Sequence, residues 1–310
     1  MRSVLQVVAF FGPATLIVMV ASAALGVALK LGHSRLTRFK PVTQSRVLMA
    51  AALGPMFLAT VFWGSAMADW LLRGPAEFCA RRVQSGHLSV LLVICTLILL
   101  MRAGVLGARL AGDVFRSSGA VRAWRRSLPV SPVSGTVLPI EEPHAFVMGI
   151  LKPQIFLSRG LLTAAKPDLL EPLLAHEEAH VRRRDPLRRL VASIGLLAHL
   201  PGVTRSIQLL LTRAQEMAAD AEAVKQIGNG PRVAEALLWF ARLRQHHSAA
   251  ACEFAKVDVG ARVRQILEPR QQPDGPSLVA LLACCVGLTV FAAIARHQLH
   301  HLSEILLQLP

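Results

Sequence analysis

His176, Glu177 and His180 stand together in the stretch LLAHEEAHVRRRD, Leu173–Asp185. Residues four apart on a helix point the same way, so both imidazoles can reach one metal ion. Glu177 projects roughly 100° around the helix, beside that pair, where a carboxylate can take a proton from a polarised water. This is the HExxH arrangement, and its chemistry is zinc-assisted attack of water on a carbonyl. The motif is short enough to arise by chance on a charged, solvated helix. A third ligand therefore decides more. Gln215–Asp220 reads QEMAAD, so Glu216 and Asp220 share the face of a second helix. Glu216 can complete a His₂Glu zinc site with a fourth position left for water. Asp220 can accept a hydrogen bond from the far nitrogen of a ligating histidine and fix its tautomer.

The elements that must carry these residues belong to a very apolar chain. Hydrophobic residues make up 53% of the 310, charged residues 17%, and tyrosine is absent. Four apolar runs, Val4–Leu29, Val47–Ala68, Leu88 to about Ala108 and Ser277–Ala295, each approach the ~20 residues that cross a bilayer. Ala21-Ser22-Ala23 looks like a signal cleavage site, but the first run is too long for a secretory h-region and reads as an uncleaved helix. Arg102 interrupts the third run and must snorkel or face other helices.

The formal charge of +15 follows the membrane topology rather than a nucleic-acid surface. No zinc-finger spacing, stacking motif or phosphate loop accompanies it, and no nucleic-acid partner is expected. Lys30, Arg35, Arg38, Lys40 and Arg46 follow the first run, and Arg109, Arg116, Arg122, Arg125 and Arg126 follow the third. That bias places the first loop and the central segment in the cytoplasm, with both termini outside. The five cysteines show no CxxC spacing and read as small buried hydrophobes.

The central segment opens with Leu128–Pro139, a Pro/Ser/Gly stretch that disfavours helix and reads as linker or irregular edge. Ala145–Gly149 and Gln154–Ser158 flank a turn and read as a short hairpin. Helices are expected from Pro167 through the histidines, over about Val203–Gln226 and over about Arg232–Arg244. The run Leu190–Leu200 is too short to span and reads as packing beneath the zinc helices or docking to the inner leaflet. The arginines at 182–184 and 188–189 read as headgroup contacts or a solvated face. The expected fold is mainly α, a multi-pass membrane protein with four transmembrane helices. Residues 1–110 hold three of them, 111–275 a cytoplasmic metallopeptidase domain, and 276–310 the fourth with a short tail.

Several features in order resemble the BlaR/MecR family of bacterial membrane metallopeptidases. These are HAFVMGILKPQIFLSRG (His144–Gly160), HEEAHVRRRD (His176–Asp185), QEMAAD (Gln215–Asp220) and AEALLWFAR (Ala234–Arg242). The resemblance implies an α+β gluzincin-type domain facing the cytoplasm of a bacterial inner membrane. It implies His176, His180 and Glu216 as zinc ligands and Glu177 as base. It implies a protein or peptide substrate, such as a transcriptional repressor or the chain itself, pairing with the hairpin's edge. The antibiotic sensors of the family carry a penicillin-binding domain after the last helix. Only Arg296–Pro310 stands there in this sequence, so β-lactam sensing is not carried over. Asp185 matches a family position, with cap, arginine partner or histidine support as its readings. With no tyrosine to stabilise an oxyanion, His144, His199 and Arg213 are the alternatives, each as readily explained by surface or interface polarity. Two rival functions remain: a quality-control or processing peptidase of HtpX or CAAX type, and a non-catalytic adaptor whose zinc site only holds the domain together.

Overall fold

The computed structural model describes residues 2–73, 87–127, 130–131, 135–247, 252–269, 272–276 and 281. Three long helices come first: α1 (Arg2–Leu36), α2 (Pro41–Arg73) and α3 (His87–Ser127). Each holds a stretch long and apolar enough to cross a membrane, Ile17–Leu36, Pro41–Val61 and Ile94–Trp124. Apart from residue 281, the fourth expected span, Ser277–Ala295, lies outside the described residues. Among the described residues α3 runs unbroken past Ala108 to Ser127, because Gly104–Ser127 contains no proline to stop it.

Leu128–Pro139 does end the helix, but part of it is strand. β1 (Val130–Ser131) pairs antiparallel with β2 (Gly135–Leu138), and β2 lies parallel to β4 (Gln154–Ser158). β3 (Ala145–Met148) pairs antiparallel with β4, as the expected hairpin requires, giving the order β1-β2-β4-β3. β4 is the buried centre: Phe156 stacks on Phe146 with ring centroids 5.6 Å apart and meets the edge of Trp124 from α3 at 5.4 Å. β3 is an edge strand. The Ser-x-Gly that closes the hairpin has a structural cause. Ser158 Oγ caps α4 (Arg159–Ala164) by accepting from Leu161 N–H at 3.1 Å, and also accepts from His144 N–H at 2.8 Å. Gly160 donates to the Ile140 carbonyl at 3.0 Å, and a Cβ there would overlap the Glu141 carbonyl.

The helices that follow are α5 (Pro167–Arg183), α6 (Asp185–Gly195), α7 (Pro201–Ile227), α8 (Gly230–His247) and α9 (Cys252–Leu267). Arg184 joins α5 to α6 in the left-handed conformation, φ 52° and ψ 44°, the one non-glycine residue with positive φ among those described. That kink turns the chain back so that Asp185 faces His180. A side chain in this region costs about 1–2 kcal/mol. Arg184→Gly is therefore expected to melt no lower than wild type, whereas the β-branched Arg184→Val loses about 1–2 kcal/mol, read by thermal unfolding in detergent.

Leu190–Leu200 packs against the first half of α7, the helix that carries Glu216, and also against the long apolar helices. α6, the 3₁₀ turn Leu196–Ala198 and the start of α7 form a helical hairpin inserted among α1, α2 and α3. Leu48 and Ala52 of α2 share one apolar core with Ala192, Leu196, Ile207, Leu211 and Ala214. Gly195 lies so close to the Ala52 carbonyl that a Cβ would collide with it. The tip is polar and saturated. His199, fully buried, donates from Nε2 to the Ala52 carbonyl at 3.1 Å, which leaves Nδ1 to accept from Ser22 Oγ at 3.2 Å. Ser22 Oγ in turn accepts from Leu200 N–H at 3.0 Å. Arg102 neither snorkels nor stands alone. It donates to the His199 carbonyl, to the Leu197 carbonyl and, at 2.9 Å, to Thr204 Oγ1. Leaving any of these buried groups unpartnered costs about 1–3 kcal/mol, which explains why an arginine survives within an apolar helix.

Candidate metal centre

α5 carries His176, Glu177 and His180 on its buried side, because Leu173, Ala175 and Ala179 pack the same helix into the core. α7 crosses it and brings Glu216 and Asp220, with Ala214, Met217, Ala218 and Ala219 buried around them. The alanines let the two helices approach closely. Donor atoms of three residues converge. His176 Nε2 and His180 Nε2 are 3.2 Å apart, and the Glu216 carboxylate oxygens lie 3.5 Å from the first and 3.6 Å from the second. Donors about 2.0–2.1 Å from a four-coordinate metal stand roughly 3.3–3.4 Å from one another, so the set fits a tetrahedral ion with one position to spare. His176, His180 and Glu216 form a group able to hold a metal ion.

The far ring nitrogens are each held by a carboxylate. His180 Nδ1 donates to Asp185 Oδ2 at 2.7 Å. Asp220 Oδ1 lies 2.9 Å from His176 Nδ1, off the line of the ring N–H, and the two make a charge pair. Both contacts turn the Nε2 lone pairs inward, the tautomer a metal needs. Asp220 thus stands beside His176 as a charge partner rather than as the expected hydrogen-bond acceptor. Asp185, left open by the sequence, supports His180 and contacts Arg183 as well.

The centre's electrostatics are set by carboxylates crowded around two buried imidazoles. Burial works against charging His176, yet Asp220 and Glu216 outweigh it and raise its pKa to about 10. His180 is raised the same way, burial being overcome by Asp185 and Glu216. Burial also opposes ionisation of Glu216, but His176, His180 and Arg262 hold it well below the usual carboxylate range. Glu177 differs: burial dominates and its pKa is raised. Without metal, then, His176 carries a proton that a metal must displace. That imidazolium contributes stability fully below its unfolded pKa of about 6.5 and loses it as pH rises toward 10. Metal binding is expected to release one to two protons and to tighten by about ten- to a hundred-fold per pH unit between pH 6 and 8. Calorimetric titration in buffers of different protonation enthalpy reads this directly, and a pH-independent affinity would contradict it.

Sequence reasoning missed α9. Arg262 reaches from it to grip both oxygens of Asp220 at 2.7 Å and lies 3.4 Å from Glu216. Arg189 of α6 donates to Glu216 Oε1 at 3.0 Å and to Gln215 Oε1 at 2.8 Å. Neither arginine sits in a motif, and nothing in the local spelling separates Arg262 from a surface charge. A cleft of about 440 Å³ opens over the centre. The edge strand β3 lines one side with Ala145–Val147, α5 supplies Leu173 and Glu177, and α8 supplies Leu237, Phe240 and Arg244. His144, His199 and Arg213 are not among its lining residues. His144 faces Glu142 at 3.3 Å, and His199 belongs to the membrane-side hairpin.

Comparison with protein-family models matches residues 84–266 to the BlaR1 peptidase M56 family, more than half of the chain. The chain belongs to this family. The chain is also similar to a protein described as a protease HtpX homolog from Gemmatimonas aurantiaca, 26% identical over 170 residues, which cover 44% of this chain and 60% of that protein. The match thus spans less than two thirds of the relative's length. No solved structure matches.

Proposed function

We propose that this M56 chain is an integral-membrane zinc endopeptidase of BlaR/MecR type, cutting a peptide bond in a cytoplasmic or juxtamembrane protein as part of signalling. The observation that carries the reading is the juxtaposition of His176, His180 and Glu216 with a buried Glu177 in a cleft walled by an edge strand. His176, His180 and Glu216 would hold zinc. The ion supplies Lewis acidity at the scissile carbonyl and makes water a stronger acid. The other work falls to side chains. An extended substrate adds to β3, its backbone completing the ladder that β3 leaves open. Glu177, raised in pKa by its burial, takes the proton of the attacking water and returns it to the departing amine. Asp220 and Asp185 hold the two imidazoles in register, and Arg262 and Arg189 hold Glu216. Arg262 and Arg244 also line the cleft as cations near a developing oxyanion.

The membrane reading extends to four spans, a bacterial inner membrane and a catalytic domain over 111–275 on the cytoplasmic side. The arginine and lysine bias after the first and third helices supports it. So does contact at one end of the molecule: Lys40 N–H donates to the Pro273 carbonyl, and its amine pairs with Asp274 at 2.8 Å, beside the start of the fourth expected span.

The HtpX-like relative favours a second reading, a quality-control peptidase with many substrates. Mapping new protein N-termini in membrane fractions, with the active chain against Glu177→Gln, separates the two. One or two cleavage sites are expected for signalling, and dozens across unrelated membrane proteins would transfer the assignment to quality control. The adaptor reading is disfavoured because a purely structural zinc site has no use for a buried carboxylate beside its histidines.

A further inference from the structure

Around Asp185, beside its bond to His180, lies a cluster of positive charge that the metal centre does not use. Arg183 is the buried member, its side chain 8% exposed. Its Nε lies 3.3 Å from Asp185 Oδ2, the oxygen already taken by His180, and its Nη2 has no hydrogen-bond partner. Asp185 Oδ1 is also without a hydrogen bond, with Arg188 Nη1 3.9 Å away. Arg188 is part-exposed, and its charge is opposed first by burial, then by Arg183 and, less, by the exposed Arg46. Glu222, the other acid near Arg188, is paired with Arg182 at 2.9 Å. Two guanidiniums, Arg183 and Arg188, therefore share one carboxylate that is itself committed to a histidine, and Arg46 adds a third positive charge toward Arg188.

A buried guanidinium with an idle N–H is costly, and its planar fork suits a tetrahedral oxyanion. Arg46 fixes where that anion comes from. It stands in the second turn of α2, about 8 Å along the helix from Pro41, at the end of a span rather than in the solvent-facing part of the domain. Basic pockets between membrane helices at that depth meet lipid headgroups.

We propose that Arg183, Arg188 and Arg46 form a binding site for a phosphate group, supplied by an anionic phospholipid at the membrane boundary. Such a lipid completes the hydrogen bonding of Arg183 and neutralises the charge crowded around Asp185. The lipid thereby stands one side chain from His180.

The test uses the full chain in neutral detergent. Its unfolding midpoint is titrated with phosphatidylglycerol, with phosphatidylcholine and with inorganic phosphate. Arg46→Gln and Arg188→Gln are the variants, since both side chains reach the surface and neither holds the core. Arg38→Gln is the control, an equal charge loss in the α1–α2 turn. Phosphatidylglycerol is expected to stabilise wild type more than phosphatidylcholine does. Its apparent affinity is expected to fall roughly five-fold in each variant and to stay unchanged in Arg38→Gln. Stabilisation by inorganic phosphate alone, lost in the same two variants, keeps the site and reassigns its occupant to a soluble anion. Equal loss in Arg38→Gln would reduce the effect to diffuse surface charge and overturn the site. So would equal stabilisation by both lipids in all four proteins.

Discussion

Glu177→Gln is expected to bind metal like wild type and to lose about a hundred- to ten-thousand-fold in peptide hydrolysis. The amide keeps the size of the acid and its place in the α5 packing, where Glu177 is 7% exposed. What it lacks is basicity. Glu177 lies beside the donor group but outside it, so metal content should not change. Removing a buried carboxyl whose ionisation is opposed by burial should leave the unfolding midpoint equal or slightly higher. Parallel metal analysis, thermal unfolding and cleavage assays check all three. An active variant would return Glu177 to the role of a packed helix residue and end the catalytic assignment.

Glu216→Ala carries the second large effect, and it is of the opposite kind. The carboxylate is a metal donor and also the meeting point of Arg189 and Arg262. Truncation leaves two imidazoles and two guanidiniums facing each other with only Asp220 and Asp185 between them. Metal affinity is expected to fall by more than the roughly 10–100-fold typical of losing a partner outside the donor set. Stability of the metal-free protein should fall by about 3–5 kcal/mol, the cost of breaking a buried ionic network from one side. Glu216→Gln separates the two losses, because it keeps the volume and the acceptor oxygen. It should recover part of the stability while metal binding stays weak. Metal retained at full stoichiometry in Glu216→Ala would remove Glu216 from the donor set.

Both residues are legible in the sequence itself, Glu216 from i, i+4 spacing with Asp220 and Glu177 from its place beside the i, i+4 histidine pair, and both signals are purely local. The two histidines, Glu216 and Asp220 need only i, i+4 spacing twice. The hairpin and the helices around 167–183, 201–227 and 230–247 follow from alternation and from helical periodicity. What stays hidden depends on distant contacts. β2 forms because β4 lies parallel beside it across a crossover, so Leu128–Pro139 by itself reads as linker. Arg262 joins the site from α9 through charge pairing alone. Leu190–Leu200 is too short to span, yet its length gives no hint that Ser22, Ala52 and Arg102 receive its tip. Asp185 depends on the backbone turn at Arg184, which no residue type announces, since glycine rather than arginine is the usual occupant of that conformation.

The inserted hairpin has a bearing on what counts as one cooperative unit. The composition changes near residue 110, as though a soluble peptidase could be cut free there. But α7 begins at Pro201 among the membrane helices and carries Glu216 fifteen residues later without a break. Severing α1–α3 would strand the His199 tip and half of the apolar core in water. The excised fragment should therefore unfold or aggregate rather than work. In this chain the three long apolar helices act as scaffold for the fold that carries the metal centre, and melting of either part should be seen as a single transition.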